Sequence, residues 1–587
     1  MSEDDRIAPK APPHWTAPQQ PPAASGVGSR PRERALNRFL GGSPGGVFLR
    51  LLSVSLIVGA FLMWLDIRPW DVFRGLKELV DRIWGLGFDA IREIADYVLA
   101  GAAIVVPVWL VCGSCICATP AEPGGRAVST YPNAVANPPR VSHARVVRLA
   151  LPMTLAHLSS PLLGIADAAV IGRLGQAHLL GAIAACAIIF DFIFWSFGFL
   201  RMGTAGLTAQ ALGAGDAAEQ RATLMRALIV AVCIGAAMIL LQSLIAWISF
   251  AALDASPKVT GAARLYFDIR IWSAPFVLIN YAMVGAIVGR GRTGVALVLQ
   301  VLMHVINIVF NVALVYGLAL GVRGSAAGTL AAEVLGALAG FFVVRRMYGD
   351  LFRADVALLL DRGKIARMFA INRDIFIRNT ALLFAFAFFT AQGARGGDIV
   401  LAGNAILINL ILVAAYFLDG FGTAAEQMCG QAIGARDAQG FRAAVRLTAF
   451  WSFAFAAGLA AVAFISGKPF IDFLTTDPQV RAYARAYLLL AALAPLAGAL
   501  AYELDGVFAG ATWTRDMRNM MLVSLALYIA SFSLLRPFGN AGLWLSLLLF
   551  LLARGFTQAW RYRKLSALSF PLAESAAATP VASASRG

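Results

Sequence analysis

Twelve long apolar runs follow one another in the last three-quarters of the chain, at about 147–171, 180–212, 222–248, 263–289, 295–320, 325–344, 368–392, 399–433, 443–466, 482–510, 517–535 and 540–560. A run of about 20 such residues crosses a bilayer as a helix. In lipid, every backbone N–H and C=O must be bonded inside the protein, which leaves helices or closed barrels. A barrel would read as short alternating strands, so an all-α polytopic membrane protein is expected. The composition agrees, being 59% hydrophobic and 14% charged, where a soluble domain carries about a quarter charged residues.

The net charge of +16 does not imply a nucleic-acid partner. The Lys and Arg residues lie mostly in short loops between apolar runs, where they set orientation. Far more of them fall on one side, including Arg140, Arg145, Arg221, Arg226, Arg290, Arg292, the stretch Arg345 to Arg378, Arg436 and Arg515. That asymmetry puts both ends of the twelve-span body in the cytoplasm of a cell whose inner (plasma) membrane holds the protein. The six cysteines and five histidines form no metal-ligand pattern, and no phosphate loop, dinucleotide fingerprint or nucleophile elbow is present. An enzyme is not expected, nor a metal or organic cofactor.

The organisation predicted is a disordered tail at 1–46, a two-span membrane module at 47–118 and a Pro/Gly/Ala linker at 119–140. An N-terminal lobe at 141–344 (spans 1–6), a cytoplasmic interlobe loop at 345–367, a C-terminal lobe at 368–565 (spans 7–12) and a tail at 566–587 complete it. The two lobes repeat each other at an offset of 221 residues without gaps. "AQALGAGD" (209–216) meets "GQAIGARD" (430–437), Gly172 meets Gly393, Gly285 meets Gly506, Gly289 meets Gly510 and Thr293 meets Thr514. Each lobe has an even number of spans, so the repeat is parallel, with an axis along the membrane normal. Some secondary transporters follow this plan, with the ligand site near mid-membrane.

Ionisable groups inside the membrane are costly and mark functional positions. Asp167 stands in span 1 within "SSPLLGIADAAVIGRLG", six residues after Pro161 and below Pro152. Either it carries a coupling ion or it is a structural partner of Arg201, Arg270 or an asparagine. A proline inside a helix removes a backbone hydrogen bond, so Pro152 and Pro161 are hinge candidates. Cavity candidates are Asp191 in span 2, Asn280 in span 4, Asn307 and Asn311 on one face of span 5, and Asp419 and Glu426 in span 8. Asp268 and Arg270 read as a salt-linked or interfacial pair. The offset carries Asp167 onto Phe388, so an ion site in the first lobe alone is expected.

The stretches 151–175, 197–216, 269–275, 387–407, 418–436 and 504–519 resemble those of the multidrug and toxic compound extrusion (MATE) family over about 141–565. The resemblance implies two six-helix lobes around a V-shaped cleft and an antiporter exporting small organic, often cationic, compounds in exchange for H+ or Na+; a monomer is expected. It places the family's first-helix aspartate on Asp167, its first-helix proline on Pro152 and the polar cluster beside the acid on Asn280, Asn307 and Asn311. Many members carry an acid near Asn311, where this chain has an amide. Two other readings stand beside it: a flippase for lipid-linked precursors from the same superfamily, and a non-transporting membrane scaffold or sensor built through 1–140.

Overall fold

The computed structural model describes residues 141–253, 256–349 and 356–570. The tail, two-span module and linker read for 1–140 lie outside the described residues, as does the tail from 571 onward.

Every regular element among the described residues is helical. Eleven helical stretches are long and apolar enough to cross a membrane. The last of them breaks at a short turn, Arg536–Phe538, which gives twelve spans. The first lobe holds α1 (His143–Gly172), α2 (Ala177–Gly213), α3 (Ala217–Leu240), α4 (Pro257–Gly289), α5 (Thr293–Gly317) and α6 (Gly321–Tyr348). The second holds α7 (Val356–Ala394), α8 (Asp398–Gly434), α9 (Ala438–Leu474), α10 (Pro478–Gly510), α11 (Thr514–Leu535) and α12 (Gly539–Ser569).

Local chemistry sets the helix ends. Asp216 and Asp437 occupy equivalent N-caps, each accepting a backbone N–H three residues on, from Glu219 and Gly440, at 2.8 Å. Such caps satisfy donors that a helix start leaves orphaned. Asp361 does the same for Gly363 and Lys364. That cap starts the long helix of α7 at Arg362, and α6 runs on to Tyr348. The stretch read as a loop at 345–367 is therefore helical at both ends. Likewise α12 continues through 566–569, at the start of the stretch read as tail.

The repeat is visible as contacts. Gly285 and Gly289 of α4 lie against the carbonyls of Arg201 and Ala205 on α2. Gly506 and Gly510 of α10 lie against those of Gly422 and Glu426 on α8. Each contact in one lobe is the other shifted by 221 residues. A Cβ at any of these four glycines would overlap the facing backbone, which is why they keep register while the sequence around them diverged. Small residues at such crossings let membrane helices approach closely.

The turns repeat as well. Gly215 and Gly291 have positive φ, and their counterparts Arg436 and Thr512 share it without being glycine. Positive φ costs a residue with a Cβ roughly 1–3 kcal/mol. Thr512 is held there by its hydroxyl, which accepts from Arg367 at 3.0 Å and from Gln210 at 3.2 Å.

The lobes meet along α8, which packs on α1 and α2. Thr154 of α1 donates to the carbonyl of Phe417 at 3.5 Å. Gly213 of α2 and Gly434 of α8 face each other's backbone so closely that neither has room for a Cβ. Arg145 of α1 donates to Gln431 of α8 at 2.5 Å. In near-symmetric fashion, Arg367 of α7 donates to Gln210 of α2 at 2.9 Å. The glycine crossing and the two arginine–glutamine contacts sit at the helix ends carrying the arginine-rich loops, so the lobes are latched together at that end.

Candidate functional site

The first helix is fastened along α5. Pro152 lacks the N–H that would bond the carbonyl of Arg148, and that carbonyl accepts instead from Thr293 at 3.4 Å. Further along, Gln300 donates to the carbonyl of Ala156 at 3.1 Å and to Ser160 at 3.3 Å. The hydroxyl of Tyr316, in the π-turn that ends α5, donates to the carbonyl of Val170. Both prolines lie inside a continuous helix.

Between these fastenings stands Asp167. Its carboxylate accepts from the amide of Asn311 at 2.6 Å, and Asn311 also donates to Asn307 at 2.7 Å. The two asparagines are buried on one face of α5, four residues apart as helical neighbours must be. The structure thus brings together Asp167, Asn307 and Asn311.

A second cluster adjoins the first. Asn280 of α4 donates to the carboxylate of Glu333 on α6 at 2.9 Å. Arg270 stands 3.8 Å from the same carboxylate. Its guanidinium lies over the rings of Phe190 and Phe194 at 5.6 and 5.5 Å, a placement worth about 0.5–2 kcal/mol. Its charge also acts on Asp167 and Asp191. Arg270 thus pairs with Glu333 of α6, and its charge reaches the acids of α1 and α2 as well. The expected Asp268–Arg270 pair is corrected: Asp268 is exposed and Arg270 turns to Glu333. Residues two apart on a helix do not face each other.

Sequence reasoning offered Arg270 only as a structural partner of Asp167 and gave Glu333 no role at the site. The signal available was Pro275, which cannot bond the carbonyl of Ile271. The helix tightens there into a 3-10 turn, Ile271–Ser273, and Arg270 is the last residue before the break. Ser273 then accepts from Arg270 at 2.5 Å.

The repeat supplies an internal control. Shifted by 221, Asp167, Asn307 and Asn311 become Phe388, Tyr528 and Phe532. Those three also meet: Phe388 lies edge-on to Tyr528 and Phe532, with centroids 5.5 and 5.2 Å apart. The same three positions are polar in one lobe and aromatic in the other.

Asp191 and Asp419 are both exposed, and both act on Tyr416 of α8. Exposed side chains that share a neighbour across the lobe boundary line the space between the lobes rather than the lipid face. Arg201 of α2 acts on Asp419 and Glu426 of α8. Glu426 is buried, and one of its oxygens has no hydrogen-bond partner among the described residues. Asp419 and Glu426 thus belong to a central interlobe group around Arg201, apart from the Asp167 cluster.

The second lobe has a different polar centre. Asp505 accepts from Arg378, from Arg554 at 2.7 Å and from Gln558 at 2.7 Å, all buried. Arg554 occupies the repeat position of Glu333. Buried charges of this kind persist only when paired and hydrogen-bonded, and this group ties α7, α10 and α12 together.

Two six-helix lobes in parallel repeat, with acids of both lobes gathered near their junction, follow the plan of some secondary transporters. Comparison with known proteins gives the family. The MatE family profile matches twice, over 152–313 and 375–535, close to the 221-residue offset. A domain of unknown function (DUF6460) matches 83–112. The chain is 37% identical to DNA damage-inducible protein F of Escherichia coli over 425 residues, 70% of this chain and 91% of that one. It is 26% identical to the chloroplastic Protein DETOXIFICATION 44 of Arabidopsis thaliana over 432 residues, covering 71% and 81%. A solved outward-facing multidrug resistance MATE family transporter of the MOP superfamily superposes with a TM-score of 0.67 at 17% identity, covering 73% of this chain and 96% of that one. The chain belongs to the MATE family of multi-pass membrane transporters.

Proposed function

We propose that the protein exports small organic compounds, mostly cationic, in exchange for protons, with Asp167 as the coupling site. The observation that carries this reading is the contrast at the repeated triad. Phe388, Tyr528 and Phe532 fill the site with rings in one lobe, so packing does not demand an acid there. An acid with two buried amides in the other lobe is a choice made for chemistry.

Several features favour the proton over sodium. The carboxylate of Asp167 receives an N–H from Asn311 and feels the charge of Arg270. A neighbouring guanidinium repels a metal cation but leaves a carboxylate free to take and release a proton. With the arginine-rich loops in the cytoplasm, the latched end of the lobes is the inner end. Protonation of Asp167 then weakens its bond to Asn311 and lets α1 shift along α5, with Pro152 and Pro161 as the places where it yields. A cation held by the acids of the cleft loses attraction as Asp167 is neutralised. Proton and substrate affinities are coupled reciprocally, by about 1–3 kcal/mol in typical systems. A flippase of lipid-linked precursors would need a cleft lined by unpaired cations, and Arg201 and Arg270 both have acidic neighbours here.

The test is transport of ethidium in proteoliposomes under one imposed ion gradient at a time. A pH gradient alone is expected to drive accumulation. Movement under a sodium gradient alone would replace the coupling ion, and movement under neither would remove the antiport reading.

A further inference from the structure

We propose that an anionic phospholipid occupies the junction of the lobes beside α7, with its headgroup phosphate on an arginine-lined pocket and an acyl chain in an adjoining apolar groove. A pocket of about 590 Å3 lies at the end of α7 and α11 that the loop charges place in the cytoplasm. Arg367, Arg373, Arg515 and Arg518 line it, against the acids Asp374 and Asp516. Both acids are already paired: Asp374 with Arg518 at 2.6 Å and Arg373 at 3.0 Å, Asp516 with Arg561 at 2.5 Å. The pocket therefore keeps a positive excess. It also receives the start of α11, whose N-cap, Trp513, supplies no side-chain bond to the helix amides, and the first turn of a helix favours an anion.

The second observation is independent. Arg373 also borders a second hollow, of about 260 Å3, lined by Phe197, Phe199, Val230, Ile234, Phe369 and Phe376 together with Asn372. Those side chains come from α2 and α3 of one lobe and α7 of the other. Phe376 lies three residues beyond Arg373, about 4.5 Å deeper along the helix axis at 1.5 Å per residue. The hollow runs along α7 from Phe369, four residues before Arg373, to Phe376 beyond it, so an apolar slot beside and below the charge, joined to it by one arginine, matches a lipid standing upright in the inner leaflet. Basic pockets between spans on the cytoplasmic side recognise such headgroups. The architecture does not require the basic pocket. At the repeat positions of Arg367, Arg373, Asp374, Arg515, Asp516 and Arg518 the first lobe has Val146, Pro152, Met153, Gly294, Val295 and Leu297.

Occupancy has a structural consequence. Arg367 is also the residue that latches Gln210 across the lobe boundary, so a phosphate in this pocket bears on the contact that holds the cytoplasmic end shut.

The test uses the full chain in nanodiscs and measures binding of fluorescent phosphatidylglycerol, with phosphatidylcholine and glycerol 3-phosphate as comparisons. Arg373→Gln with Arg515→Gln removes two exposed cations and leaves the Arg518–Asp374 pair intact. Each arginine near a lipid surface contributes about fivefold to affinity, so a loss of about 25-fold is expected for phosphatidylglycerol. Ile234→Trp, which fills the apolar hollow, is expected to weaken lipid binding several-fold without altering the headgroup pocket. Three results would each overturn the assignment: equal binding of phosphatidylcholine, an unchanged affinity in the double variant, or competition by glycerol 3-phosphate as strong as by the whole lipid. The last would make the pocket a site for free phosphate compounds. Retained melting temperature in each variant separates loss of the site from loss of the fold.

Discussion

An Asp167→Asn protein is expected to accumulate in the membrane at the wild-type level and to lose gradient-driven efflux. Asparagine has the size of aspartate and can still meet Asn311, whose amide stands 2.6 Å from the carboxylate. The packing argument is stronger still, because the second lobe builds the same three-residue site from Phe388, Tyr528 and Phe532. Folding therefore has no need of the charge. Coupling does, since an amide cannot exchange a proton near neutral pH. With a coupling of about 1–3 kcal/mol, or 5–150-fold, dye export from everted vesicles under a pH gradient should fall at least about fivefold. An immunoblot of the same membranes supplies the expression control. Export at the wild-type rate would show that Asp167 is structural.

The second large effect is on stability. Asp505→Leu leaves Arg378 and Arg554 buried without the carboxylate they share. Removing one partner from a buried ion pair costs about 3–5 kcal/mol, because the other charge stays where water cannot reach it. Here two guanidiniums are stranded at the junction of α7, α10 and α12. The variant is expected to melt far below wild type in detergent, or to be recovered only as aggregate on size-exclusion chromatography. Glu503→Gln is the control. Glu503 is equally buried on the same helix but, among the described residues, meets only the hydroxyl of Thr448, at 3.0 Å, and glutamine preserves that bond. A melting temperature for Asp505→Leu equal to that of Glu503→Gln would show that the charged group ties nothing together.

These two sites differ in how far they could be read from sequence. The helical architecture was legible because lipid allows few alternatives, and the twelve runs appear as twelve spans with ends displaced by up to about a dozen residues. The repeat was legible because steric contact protects it. Gly285, Gly289, Gly506 and Gly510 each face a carbonyl that leaves no room for a Cβ. The neighbourhood of Asp167 and Asn311 was legible for another reason, resting on a family resemblance together with the shared face of Asn307 and Asn311.

The partners of charges on different helices were not legible. Which helix Arg270 faces depends on rotation about α4, and the 3-10 turn before Pro275 resets that rotation. Sequence proximity pointed to Asp268, and the fold chose Glu333 from α6. The Asp505 group was hidden in the same way. Its arginines come from α7 and α12, more than 100 and nearly 50 residues distant in the chain. The latch between Arg367 and Gln210 spans 157 residues and two lobes. Spacing within a helix is written in the sequence, whereas contacts between helices follow from packing.

The most direct test of the central claim is proton release on substrate binding. Ethidium would be added to the purified protein in weakly buffered solution with a pH-sensitive dye present. If substrate and proton exclude each other through Asp167, wild type should release about one proton per ethidium bound, and Asp167→Asn should bind the dye and release none. Equal release from both proteins, or none from wild type at saturation, would contradict coupling at Asp167.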